Sequence, residues 1–443
     1  MDFIQACERI LSIDSSPSVG NGFVIDYVNE LALSLGLSAE IKTTEVDGVE
    51  QKLIFIRKGK AKESEMVLWS NLDTLDPGSY SQWLETDHNP FLATIKNDKI
   101  YGLGSATGKL DFLAKLEALS QTNLNHEQVG AVLVGSFGKE ENFSGARYFL
   151  SNYKQKIHGI IVSEPSNLQI VNQFSGSVII KMELLFSDEE IMLRKKSDGD
   201  DITSTQTKIF RGKSCHASTP EYGKSAFSEL KDYIEKLPVN THLISIESGI
   251  SPYIIPEEAI LELDVGLARK DTMRERLLQF LEKIDSVFND RFSRYARRYN
   301  LKDFPPYNIG YVRTTDKSIE LEGTFFLTDG ITKERVKDWL KAIEAPNIKL
   351  SISAFKASSK MPEDHPMIHD MKLVLQEFGA VEDLLWKHKV SDASYFQIKG
   401  IPSLAFGPGA AAGSSYLPNE YNILTQLSAS KKIYKEILHR MCQ

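Results

Sequence analysis

The stretch that most constrains this chain runs from Met66 to Asp111: MVLWSNLDTLDPGSYSQWLETDHNPFLATIKNDKIYGLGSATGKLD. It opens on a continuous apolar run, residues 66–69, of the kind that forms a strand buried on both faces. A polar loop, residues 70–74, follows at once. A glycine-punctuated turn (Gly102, Gly104, Gly108) then leads into a helix with Leu110, Leu113, Leu116 and Leu119 at helical spacing. Open α/β sheets bind ligands outside the carboxyl ends of their strands, so Asp73 stands where chemistry is expected.

The flanking segments carry the same alternation. Two helical patterns fill residues 1–36, separated by a Ser/Pro/Gly turn. Strand patterns follow at 52–57, 130–137 and 159–163, with a helix over 109–119 between them. Strands alternating with helices predict βαβ units and a largely parallel sheet. Near Asn172 the character changes. Amphipathic strands at 176–185 and 207–212 predict a second sheet, and the polar run 187–206 between them reads as a solvated hairpin or loop. Helices at 223–237 and 272–289 alternate with strands at 259–267 and 319–327, and the basic run 291–298 (RFSRYARR) reads as an exposed helix end. From about Ala345 the first character returns, with a strand at 348–354, helices at 367–378 and 424–440, and a strand at 403–406. The expected organisation is an α/β domain in two segments, 1–173 and 346–443, interrupted by an α+β domain over 174–345.

A net charge of −8 offers no basic excess to neutralise phosphates, which argues against nucleic acid or an anionic membrane as partner. No run approaches 18 uninterrupted apolar residues. The first residues, MDFIQACERILSI, lack the apolar core of a signal peptide. Cys7, Cys215 and Cys442 are too few and scattered for a disulfide framework or a cysteine zinc site, and a cytoplasmic location is expected.

Further motifs follow in order. They are Asn71-Leu72-Asp73-Thr74-Leu75, Asn89-Pro90-Phe91, Tyr101-Gly102-Leu103-Gly104 and Thr107-Gly108-Lys109, then Gly138-Lys139-Glu140-Glu141 to Gly145-Ala146, and Ser163-Glu164-Pro165-Ser166. Gly212 to His216-Ala217 and Pro220, Ser391-Asp392-Ala393 and Phe406-Gly407-Pro408-Gly409 complete the series. The series resembles the M20 family of zinc-dependent amidohydrolases and exopeptidases. That resemblance implies a mostly parallel-sheet zinc-peptidase-like domain with an inserted lid through which a homodimer forms. It implies catalytic roles for Asp73, for Glu140 as general base, and for His216, which would polarise the scissile carbonyl in the partner's site. It makes Glu141 and Glu164 metal ligands, and Gly407 and Gly409 part of the binding surface, to which Lys139 is added from its place beside Glu140.

The chain departs from the family at the metal. Asn71 stands at the first histidine, Thr107 at the bridging aspartate, and Tyr416 at the histidine four residues before Glu420. Zinc takes N, S or O ligands at about 2.0–2.3 Å, and neutral Asn, Thr and Tyr oxygens replace them poorly. A metal pair also needs about 3.5–4 Å between ions, which a shared carboxylate enforces. The expectation is no zinc, or zinc weakly bound. Without cations, Asp73, Glu140, Glu141 and Glu164 would repel one another, so Lys139, with Lys109 and Arg147, is expected to restore positive charge. The family's substrate-anchoring residues are eroded too: Tyr253 precedes Ile254-Ile255-Pro256 where Asn is usual, and Gly266 stands at the Arg position, leaving Arg269 or Arg313 as substitutes. His88, Asp111, His365 and His369 could rebuild a metal site, but each reads as a surface or capping residue.

Three functions follow from this pattern. One is a pseudo-hydrolase that keeps a cleft for an acyl-amino-acid or peptide-like ligand. Another is a regulatory subunit that pairs with an active relative and supplies His216 in trans. The rival is an active deacylase or dipeptidase using one weakly held or relocated metal.

Overall fold

The computed structural model describes residues 2–59, 63–124, 128–138, 143–196, 204–238, 241–265, 272–298, 307–411, 415 and 417–442. The chain divides into two compact units, Met1–Phe174 with Ser359–Gln443, and Ser175–Ser358.

In the first unit, Ser64–Asn71 is the central strand. It runs parallel to Val129–Ser136 on one side and to Lys156–Ser163 on the other, and Ser403–Phe406 extends the parallel core beyond Lys156–Ser163. The flanks reverse. Val49–Arg57 and Ser38–Val46 add antiparallel on one side, while Ile170–Phe174 lies antiparallel to Ser403–Phe406 on the other. Among the described residues the sheet has nine strands. The parallel expectation therefore holds for the centre and for Leu384–Lys387, which lies parallel to Ile170–Phe174, while the other flanking pairs are antiparallel.

The central strand is buried on both faces, as its apolar run requires. Met66 and Leu68 join the core formed with the Lys109–Gln121 and Leu424–Met441 helices. Val67 and Trp69 point the opposite way, against Val132, Val134, Phe149 and Phe396. Gly108, at the start of the Lys109–Gln121 helix, lies so close to the end of this strand that a Cβ there would sit 2.1 Å from the Asn71 carbonyl oxygen. Only glycine lets the helix start at that distance.

The Ser38–Val46 strand escapes the sequence reading because no residue of it is buried. Its signal was the Asp47-Gly48 pair, whose positive φ values of 51° and 80° make the two-residue hairpin turn to Val49–Arg57.

The second unit holds a seven-stranded, wholly antiparallel sheet among the described residues. Val178, Ile180, Met182 and Leu184 alternate inward from the Gly176–Leu185 strand and meet Leu230 of the Ala226–Glu235 helix and Leu277, Phe280 and Ile284 of the Thr272–Arg298 helix. Two expectations are corrected here. The polar run after Ser187 begins as a helix, Asp188–Lys196, whose Glu190 is buried and bonded to Thr272 and Arg276; residues 197–203 lie outside the described residues. The strand expected at 348–354 belongs to this second unit: Ile348–Lys356 pairs along Gly176–Leu185, with Ile348, Leu350 and Ile352 packed on the second core. Its alternating pattern says that it is a strand, not which sheet it joins. Among the described residues, no helix is long and apolar enough to cross a membrane.

Candidate active site

The loop after the central strand is pinned by backbone bonds. Leu72 N–H donates to Ser136 O at 2.8 Å and Thr74 N–H to Ser15 O at 3.0 Å. Asp73 Oδ2 accepts the Gly138 N–H at 2.7 Å, which holds the carboxylate at the carboxyl end of the strands. Asn71, 3% exposed, turns its Nδ2 to Asp392 Oδ2 at 2.7 Å. The same oxygen accepts Trp69 Nε1–H at 2.9 Å. Asp392 is fully buried at the start of the Asp392–Ile398 helix, which Ser391 caps. Asn71 thus presents an amide N–H to a buried carboxylate.

Glu164 follows the Lys156–Ser163 strand and its side chain is wholly buried. Its Oε1 accepts from Lys387 Nζ at 2.9 Å and Lys389 Nζ at 2.8 Å, and Lys387 also donates to Pro165 O. The two ammonium groups provide positive charge that the sequence reading sought elsewhere. Lys139 lies outside the described residues, as do Glu140, Glu141 and Tyr416. Arg147 is exposed on the Ser144–Asn152 helix. Lys109 is buried and donates to Ile13 O at 2.7 Å. Burial pushes the Lys109 ammonium down to about 8, against the opposing pull of Glu420, Asp14 and Asp73. Lys109 therefore does offset charge near Asp73, but the partners of Glu164 are Lys387 and Lys389. The sequence signal for them was Lys387-His388-Lys389, just before Ser391-Asp392.

The shifted lysine has a measurable consequence. Between about pH 8 and 10.5 the folded chain has released the Lys109 proton while the unfolded chain retains it, so this group adds stability as pH rises. Wild type should gain stability relative to Lys109→Met across that window in urea melts. A constant or falling difference would count against a buried, ionisable Lys109.

Thr107 is committed to Glu420. Its N–H donates to Glu420 Oε1 at 3.1 Å, the Ala106 N–H donates at 2.8 Å, and the Thr107 hydroxyl joins them. Burial raises the Glu420 carboxyl above its ordinary range, and these donors oppose the rise.

Beneath the strand ends lies a second buried charge pair. Lys115 Nζ is 3.0 Å from Asp111 Oδ2 and donates to Trp69 O at 2.9 Å and Ser163 Oγ at 2.7 Å. Tyr434 donates to Asp111 Oδ1 at 2.8 Å. Asp111 is thus one half of a buried ion pair. His88 is exposed, and His365 caps the Pro366–Glu377 helix by accepting the Met367 N–H at 3.1 Å. Gly407 packs against Glu164, since a Cβ there would sit 2.9 Å from Glu164 O. Gly409 donates its N–H to Gln426 Oε1 at 2.7 Å.

In the second unit, His216 stands on a tight turn that is tied to a neighbouring segment. Ala217 N–H donates to Tyr253 O at 2.8 Å and Ile255 N–H to Cys215 O at 2.9 Å. Arg313 is exposed; Gly266 and Arg269 lie outside the described residues.

The described donors do not fit a zinc pair. Glu164 is engaged by two ammonium groups, Asp392 by two N–H donors, Asn71 and Thr107 are neutral, and a thiolate or imidazole ligand is lacking among them. Among the described residues, no three His, Cys, Asp or Glu side chains form a group that could hold a metal.

The acetylornithine deacetylase of Aliivibrio salmonicida is 27% identical over 434 residues, covering 98% of this chain and 95% of that protein. That of Proteus mirabilis is 22% identical over 452 residues, covering 99% and 94%. Among solved structures, the aminoacylhistidine dipeptidase from Vibrio alginolyticus superposes with a TM-score of 0.61 at 13% identity, covering 99% of this chain and 96% of that one. The dipeptidase Dug1p of Saccharomyces cerevisiae gives 0.60 at 10% identity, covering 99% and 95%. These two likenesses concern the fold. The model of peptidase family M20/M25/M40 matches residues 67–440, so the chain belongs to that family.

Proposed function

We propose that this chain is a metal-poor M20 homologue, a pseudo-hydrolase that keeps a cleft for an N-acylated amino acid or peptide-like ligand. The observation that carries this reading is the engagement of Glu164 by Lys387 and Lys389. A carboxylate held by two ammonium groups is already neutralised, and a cation entering there would meet like charge. Hydrolysis also needs an activated water. Bound zinc lowers the pKa of water from about 15.7 to about 7, and a carboxylate such as Glu140 cannot make up that difference. Asp73 and His216, with Glu140 and Glu141, would then be retained for shape and ligand contact, and Lys139, Gly407 and Gly409 would line the cleft.

The second unit is read as the dimerising lid. One edge strand of its sheet, Ser204–Arg211, pairs among the described residues with Glu258–Val265 alone and exposes Ile209 by 52%, which leaves an edge for a second copy. The same edge would serve a regulatory subunit that supplies His216 to an active relative. Cys7, Cys215 and Cys442, buried and in no disulfide among the described residues, suit a cytoplasmic location.

Metal content by mass spectrometry, on tag-free protein purified with zinc present, tests this reading. The expected result is near-zero zinc per chain and no acetate release from N-acetylornithine. One or two tightly held ions, lost to a chelator together with amide hydrolysis, would establish the deacylase or dipeptidase reading instead.

A further inference from the structure

His216 carries a detail of its own. Its Nδ1 lies 3.2 Å from the backbone nitrogen of Ser218 and 2.7 Å from Ser218 Oγ. A backbone N–H can only donate, so Nδ1 must offer its lone pair. A neutral imidazole then holds its single proton on Nε2. The turn that sets this geometry is closed by Thr219, whose N–H and hydroxyl both donate to His216 O, at 2.9 and 3.2 Å. Ser218 itself is only 6% exposed.

We propose that Ser218 is a positioning residue that fixes His216 in the Nε2–H tautomer, making the ring a hydrogen-bond donor toward a carbonyl or carboxylate oxygen. Coordinating a metal or abstracting a proton through Nε2 would require a bare nitrogen there. This arrangement turns the bare nitrogen inward, onto Ser218. The choice of an oxygen-bearing ligand rests on the ligand cleft proposed above; the tautomer does not.

The test is nitrogen–proton correlation NMR on the full chain labelled at histidine, with the His216 signals assigned by His216→Gln and read near pH 8, where an ordinary imidazole is neutral. Wild type should show the proton on Nε2 and a bare Nδ1. Ser218→Ala removes one hydrogen bond to Nδ1 and should move the tautomer ratio about fivefold toward Nδ1–H. Ser218→Thr should restore the wild-type ratio. A proton on Nδ1 in the wild type, or an unchanged ratio in Ser218→Ala, would overturn the proposal. Calorimetric titration with N-acetylornithine separates the two claims: absent heat alongside the expected tautomer removes the ligand reading alone.

Discussion

Replacing Lys387 and Lys389 together by methionine should destabilise the chain by about 3–5 kcal/mol, the usual cost of stripping a buried charge of its partners. Both ammonium groups meet one oxygen of Glu164, at 2.9 and 2.8 Å, and that side chain is fully buried. Losing both leaves a buried carboxylate without either cation, so that it must take up a proton or admit water. Either single replacement should cost less, because the other ammonium stays in place. Adding Glu164→Gln to the double variant should recover most of the loss, since a neutral amide does not need the cations. Denaturant melts of wild type, the two single variants, the double and the triple variant decide the matter. A double variant as stable as wild type, or a triple variant no better than the double, would show that the lysines are not what satisfies Glu164.

Lys115→Met should have a comparable effect, again about 3–5 kcal/mol. Lys115 is wholly buried and serves Asp111, the Trp69 carbonyl and the Ser163 hydroxyl at once. Methionine keeps the packing volume and removes every one of these bonds, leaving Asp111 with the hydroxyls of Tyr434 and Ser163. Pairing Lys115→Met with Asp111→Asn should restore part of the stability. A Lys115→Met protein within about 1 kcal/mol of wild type would show that the Lys115 ammonium is not what balances Asp111. Ser70 and Ser163, which touch Lys115, immediately precede Asn71 and Glu164, so this pair also holds the strand ends that present the site.

The parts of this protein legible in its sequence are those governed by neighbours along the chain. The apolar run at Met66–Trp69 dictated a strand buried on both faces, and the leucines after Lys109 dictated the helix packed beside it. The ordered motifs sufficed for the family and placed Asp73 and Glu164 at strand ends. Asn71 and Thr107 stood out only through the family resemblance. What the sequence did not disclose is how the buried charges are balanced. Asn71 meets Asp392 from 321 positions away, and Glu164 meets Lys387 from 223. Those pairings follow from strand register, with Leu384–Lys387 lying along Ile170–Phe174 and bringing its lysine to Glu164. The strand at Ile348–Lys356 is the same case: its alternation announced a strand, and only its pairing with Gly176–Leu185 decided which unit owns it. Periodicity reports which side of an element is apolar, because burial selects residues one turn or one pleat apart. The partner of a buried charge is chosen by the packing of distant elements, and that choice exists only once the chain has folded.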